Sequence, residues 1–223
     1  MSQEIFELVK GMDFKKIETQ LALQCAPLIM GLKVSNLFII PAENETAVKI
    51  VLKHSGISYF RLLRTTEKIT YLLYRRKDLE QVIEHPKMRD FFQKEGYEQL
   101  TLGAILYTFQ KRYESYMTAG GVFPHEMGLL LGYPLDDVTG FIEQKGKNYL
   151  YAGYWKVYTN MGEKICLFQA FEEAKEALIQ AVARDSEGKQ MDVEIQQDNE
   201  GASPKRARYH SGLMDMNTLN PGQ

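Results

Sequence analysis

Residues 123–160, FPHEMGLLLGYPLDDVTGFIEQKGKNYLYAGYWKVYTN, decide how this chain is read. Pro124 suits the first turn of a helix, where its missing N–H costs nothing. Glu126 then lies near the positive end of the helix dipole. Met127, Leu130 and Leu131 recur at spacings of three and four and define one apolar face. Gly132 can take the left-handed conformation that ends a helix. Pro134 starts a second helix, with Asp136 and Asp137 in its first turn, Val138, Phe141 and Ile142 inside, and Gly146 as its stop. An aromatic segment follows, carrying the single tryptophan of the chain, Trp155.

Upstream of that stretch, residues 100–117 predict a long helix, and residues 77–84 and 86–96 two shorter ones. Residues 57–63 and 68–75 are rich in β-branched and aromatic side chains around Thr65-Thr66-Glu67, which predicts a hairpin. Residues 36–40 are apolar, short and closed by Pro41, a third strand. Residues 43–54 read as a helix stopped at Gly56. Asp13 reads as the N-cap of a helix whose inner stripe is Phe14, Ile17, Leu21, Cys25 and Leu28, with Pro27 breaking or restarting it. Downstream, residues 161–183 predict the last helix, with Ile165, Phe168, Phe171, Ala174 and Leu178 inside. The fold class is α+β: a small, mainly antiparallel three-stranded sheet flanked by many helices, one domain over residues 1–183. Residues 184–223 hold no Phe or Trp and are expected to form a disordered polar tail.

Hydrophobic residues make up 44% of the 223, enough for a sizeable core, and the formal net charge is −2. That balance argues against a generic nucleic-acid or acidic-membrane binder, because affinity for phosphates needs a basic surface. The two cysteines, Cys25 and Cys166, form no disulfide framework and fit a reducing compartment. No apolar run reaches the length of a membrane span, and the amino terminus has no signal-peptide core. A soluble cytoplasmic protein is expected.

The run at 123–158 resembles the C-terminal signature of the bacterial domain-of-unknown-function family 3793. Residues 25–38, CAPLIMGLKVSNLF, resemble that family's N-terminal block, with residues 71–76 between them. The resemblance spans about residues 15 to 170 and does not take in the C-terminal extension. It implies a bacterial, anaerobic and cytoplasmic setting with no established activity, and a loose association with iron uptake and flavodoxins.

The sharpest chemical candidate is Cys25, a thiol near a helix start, with His125 as base and Glu126 orienting the ring. Against it, Cys25 falls on the apolar stripe with Leu21 and Leu28, the setting of a structural thiol. His125-Glu126 also suggests metal, but Leu129 stands where a zincin helix needs its second histidine, and no metal site is assigned. The two helices around Gly132-Tyr133-Pro134 outline a helix-turn-helix. Asp136 and Asp137 would face DNA phosphates there, so nucleic acid is not the expected partner. Tyr149, Tyr151, Tyr154, Trp155 and Lys156 offer a surface on which a planar ligand, such as a flavin, haem or nucleotide, stacks. The alternative is a segment covering the core. The leading reading is a non-enzymatic binding or accessory protein, its partner a protein or a planar small molecule and its cofactor unidentified. A thiol-dependent enzyme stands second and a nucleic-acid binder third.

Overall fold

The computed structural model describes residues 2–186. The expected tail lies outside the described residues from position 187 onward. Its first three residues, 184–186, are instead the end of the last helix.

The sheet has strands β1 (Ser35–Pro41), β2 (Ser58–Arg64) and β3 (Lys68–Tyr74) in the order β1-β3-β2, all antiparallel. Register runs from Ser35 opposite Tyr74 to Pro41 opposite Lys68, and from Ser58 opposite Tyr74 to Arg64 opposite Ile69. Leu62 is the extra residue of a bulge in β2. As the centre strand, β3 is covered on both faces, which explains its nearly unbroken apolar run, ITYLLY.

Alternation along β3 sorts the two cores. Ile69, Tyr71 and Leu73 face a layer made by α2 (Ile17–Ile29) and α3 (Glu45–Leu52), together with Phe38 and Ile40 of β1. Leu72 faces the larger layer, built from α4 (Arg76–Glu84), α5 (Pro86–Lys94), α6 (Leu102–Ala119), α7 (Met127–Leu130) and α8 (Leu135–Glu143). A third unit joins α1 (Gln3–Lys10) and α2 to α9 (Met161–Ser186) through Ile5, Ala22 and Ile179. Between α8 and α9 lies a two-residue hairpin, β4 (Tyr151–Ala152) with β5 (Lys156–Val157).

Side-chain amides occupy the two sheet edges. Gln24 accepts from the N–H of Ile39 and donates to its carbonyl, both at 3.0 Å. Gln110 donates to the Arg61 carbonyl at 2.8 Å. These contacts take up backbone groups that another strand would otherwise pair with.

Several local expectations shift. Asp13 does not cap α2; its carboxylate accepts from Lys15 N at 2.9 Å in an Asx turn. Phe14 is exposed rather than on the stripe. Pro27 sits within the last turn of α2, and its carbonyl takes the N–H groups of both Leu32 and Lys33. On α9 the buried positions are Lys164, Phe168, Phe171, Ala174, Ile179 and Ala183, so Ile179 replaces Leu178 and Ile165 is only half-buried.

Candidate functional site

The helix expected from Pro124 shortens to α7, a single turn, because Pro124 to Glu126 form a turn that points neighbouring side chains in opposite directions. Glu126 turns inward and is 2% exposed. Its Oε1 accepts from the Tyr97 hydroxyl at 2.8 Å and from Arg112 Nη1 at 2.9 Å. Arg112 also donates to the Glu95 carbonyl at 2.6 Å and lies over the Tyr97 ring. Burial, then the neighbouring carboxylate, pushes the Tyr97 phenol far above its ordinary value. Glu126 is therefore a clamp between the α5–α6 connection, α6 and α7, and it does not orient His125.

His125 turns the other way. Its ring packs 5.2 Å from that of Phe123 and 5.7 Å from that of Phe141. Among the described residues no side chain hydrogen-bonds to either ring nitrogen.

The α7–α8 turn is pinned to the sheet. Gly132 has φ +76°, and a Cβ there would stand 2.8 Å from Val34 Cγ2. The Ser35 hydroxyl donates to the Leu130 carbonyl. Tyr133, next in line, stacks on Trp155 at 4.7 Å and 25°. Thus the two stretches that carry the sequence resemblance, 25–38 and 123–158, meet beside Trp155.

Trp155 is 8% exposed, so it belongs to the core rather than to an open stacking face. It packs edge-on to Phe168 at 4.5 Å. Its Nε1 donates to Asp137 Oδ2 at 2.8 Å, while Oδ1 of the same carboxylate accepts from Tyr158 N at 2.8 Å and Thr159 N at 3.2 Å. Asp137 is 2% exposed and fastens α8 to the hairpin. Its place in the first turn of α8 is visible in the sequence, but its partners, eighteen to twenty-two residues downstream, are not. Gly140 serves the same joint: a Cβ there would meet Tyr158 Cγ at 2.6 Å.

Lys156 donates to the Gly146 carbonyl at 2.7 Å, just past the C-terminal end of α8, where the helix dipole favours a cation. Its ammonium also lies 4.8 Å from the Tyr149 ring and 5.7 Å from that of Phe141.

Phe123, His125, Tyr133, Phe141, Trp155 and Lys156 line a cleft of about 200 Å³. Tyr154 borders it and donates its hydroxyl to Glu172 at 2.8 Å; burial, then that bond, raises the phenol's pKa. Of the expected ligand-binding residues, Tyr154, Trp155 and Lys156 reach this cleft with His125. Tyr149 and Tyr151 do not line it. Tyr151 lies outside, against Phe168, in a wider and more open depression of about 400 Å³ that Tyr154, Glu172 and Lys175 also border. Phe123, Tyr133 and Phe141 are cleft residues that the sequence reading did not single out as binding residues. Phe141 was placed on an inner helix face, and only the turn of the preceding loop makes that face a wall.

Cys25 is elsewhere. It is fully buried on the α2–α3 side of the sheet, whereas the leucines of α7 pack on the opposite side. Its thiol donates to the Leu37 carbonyl and accepts from Asn36 Nδ2. Burial pushes it up to about 12. The structure does not bring Cys25 and His125 together. Cys166 is exposed on α9. Lys33, 9% exposed, donates to Asn36 Oδ1 at 2.9 Å and lies behind Tyr133, and burial lowers its pKa to about 8. Among the described residues no group of three or more His, Cys, Asp or Glu is placed to hold a metal ion, and no helix is long and apolar enough to cross a membrane.

Fold and site together define an α+β domain with an aromatic cleft between α7, α8 and the last hairpin. The family model described as "Protein of unknown function (DUF3793)" matches residues 21–191, and the chain belongs to that family. No curated protein and no solved structure matches the chain.

Proposed function

We propose that the protein is a non-enzymatic binding or accessory protein of the bacterial cytoplasm, whose ligand site is the cleft between His125 and Trp155. The carrying observation is the composition of that cleft: aromatic walls with one imidazole whose nitrogens have no partner among the described residues. Small-molecule sites are concave, mostly apolar and fitted with few polar groups. The groups a reaction would draw on are committed elsewhere. Glu126 serves Arg112 and Tyr97, Asp137 serves the hairpin, and Cys25 is protonated inside another layer.

Trp155, the single tryptophan, reports on the cleft directly. Its emission is titrated with a panel of flat ligands running from single-ring compounds to flavin, nucleotides and haem, the last three prompted by the iron and flavodoxin association. Saturable quenching or a spectral shift by at least one member, lost in Phe141→Ala, is expected. An emission that no member changes overturns the reading.

A further inference from the structure

Resting on that reading, the geometry points to the kind of molecule the cleft takes: we propose a small aromatic anion, one or two fused rings bearing a single carboxylate or phenolate. Three observations lead there. The first is size. A cleft of about 200 Å³ is little larger than the roughly 150 Å³ cavity that holds benzene, and below the roughly 300–1,000 Å³ of pockets that enclose drug-sized molecules.

The second is wall geometry. Tyr133 and Trp155 are already stacked on one another at 25°, while Phe123, His125 and Phe141 form a second aromatic row. Both groups line the cleft, so a flat ring inside it meets aromatic faces and edges, the arrangement aromatic pairs prefer.

The third is the balance of polar groups. Each carboxylate near the cleft is already engaged: Asp137 accepts three hydrogen bonds from the hairpin, and Glu172 accepts the Tyr154 hydroxyl. The Tyr133 hydroxyl points to the Tyr154 carbonyl. What remains for a ligand is donor chemistry. Lys156 uses one of its three ammonium protons on Gly146, leaving two, and His125 offers a ring N–H. Asp137, the carboxylate that lines the cleft, already accepts three of the about four hydrogen bonds a carboxylate takes, so among the described residues a donor ligand finds little acceptor capacity, whereas an anionic oxygen finds the donors of Lys156 and His125. The anion also completes the charge of Lys156, which among the described residues pairs with no carboxylate and lies against ring faces and a carbonyl.

Calorimetric titration of the full chain with benzoate, 2-naphthoate and indole-3-carboxylate, each beside its neutral carboxamide, tests this. A free acid and the carboxyl-terminal aromatic residue of a peptide share this chemistry, so N-acetyl-Gly-Phe and its amide form a further pair. The acids are expected to bind at least tenfold more tightly than the amides. Lys156→Gln is expected to remove most of that preference, weakening the acids at least fivefold more than their amides. Lys156→Arg, which keeps the charge at the end of α8, is expected to retain it. The wild-type comparison needs no variant, so misfolding of a variant leaves the test intact. Equal binding of acid and amide, or binding of flavin alone, overturns this proposal and leaves the cleft as a binding site. Binding of nothing in either panel overturns both.

Discussion

Replacing Asp137 with asparagine isolates the joint that holds the cleft together. The change is nearly isosteric, so it leaves no cavity. Its chemistry is not neutral, because the carboxylate accepts on both oxygens: Trp155 Nε1 on one, Tyr158 N and Thr159 N on the other. An asparagine that keeps its carbonyl toward the two backbone amides must turn its NH₂ toward the indole N–H, donor against donor. A buried donor left without an acceptor costs about 1–3 kcal/mol, and the two retained bonds weaken because their acceptor is no longer charged. Asparagine recovers some of the cost of burying a carboxylate, so the net loss is about 2–3 kcal/mol. Stability of a domain is about 5–15 kcal/mol, so this is a large fraction. Urea denaturation followed by circular dichroism measures it. The cycle with Trp155→Phe, which lacks the N–H, should show a coupling of about 1–2 kcal/mol between the two sites. A loss under about 0.5 kcal/mol, or full additivity with Trp155→Phe, would refute the reasoning, since surface changes fall within that range.

Other perturbations separate the remaining elements. Glu126→Gln should cost about 2–3 kcal/mol in the same assay, because it leaves Arg112 without its carboxylate; a loss no larger than that of an exposed pair such as Arg76–Glu80 would contradict the clamp. Iodoacetamide at pH 8 should label Cys166 in the native protein while Cys25 reacts only on unfolding; native labelling of Cys25 at a comparable rate would restore the thiol reading. Lys33→Met should stabilise the protein at pH 6–7. The folded pKa of Lys33 is lowered to about 8, so below that pH the fold buries an ammonium at a cost of up to about 3 kcal/mol. As pH rises from 8 towards the unfolded value the unfolded chain holds more protons, and wild-type stability rises relative to the variant. The advantage of Lys33→Met should therefore shrink across that window, and an advantage that is flat with pH would show that the amine is not buried in its charged form.

The sheet was legible because its signals are local. The alternation of β-branched and aromatic residues on either side of Thr65-Thr66-Glu67, and the apolar run closed by Pro41, mark three strands, and the structure pairs them antiparallel. The strand order required knowing that α2 covers β1 and that α6 covers β2, contacts that no short-range pattern records. The candidate site was half legible. His125 and Trp155 stood out by rarity and setting, and they do share a cleft. The direction of each side chain did not stand out. Adjacent residues 125 and 126 part because the chain turns there, sending Glu126 to Arg112 from another helix and His125 to Phe141. Residues 149–158 looked like one aromatic face, but the two-residue hairpin splits it, burying Trp155 and leaving Tyr149 and Tyr151 outside. Asp137 was hidden for a related reason. An acidic residue in a first helical turn has a sufficient local explanation, and its pairing with Trp155 exists only in three dimensions.

The central claim is that the space between His125 and Trp155 receives a flat ligand. The most direct measurement is a ¹H–¹⁵N spectrum of the protein, which contains a single indole N–H resonance, recorded through a titration with 2-naphthoate. The account predicts a saturable shift of that resonance together with the His125 ring signals, while the exposed outer tyrosine Tyr151 stays unchanged. A spectrum in which the indole and the His125 ring remain fixed as other positions respond would contradict it.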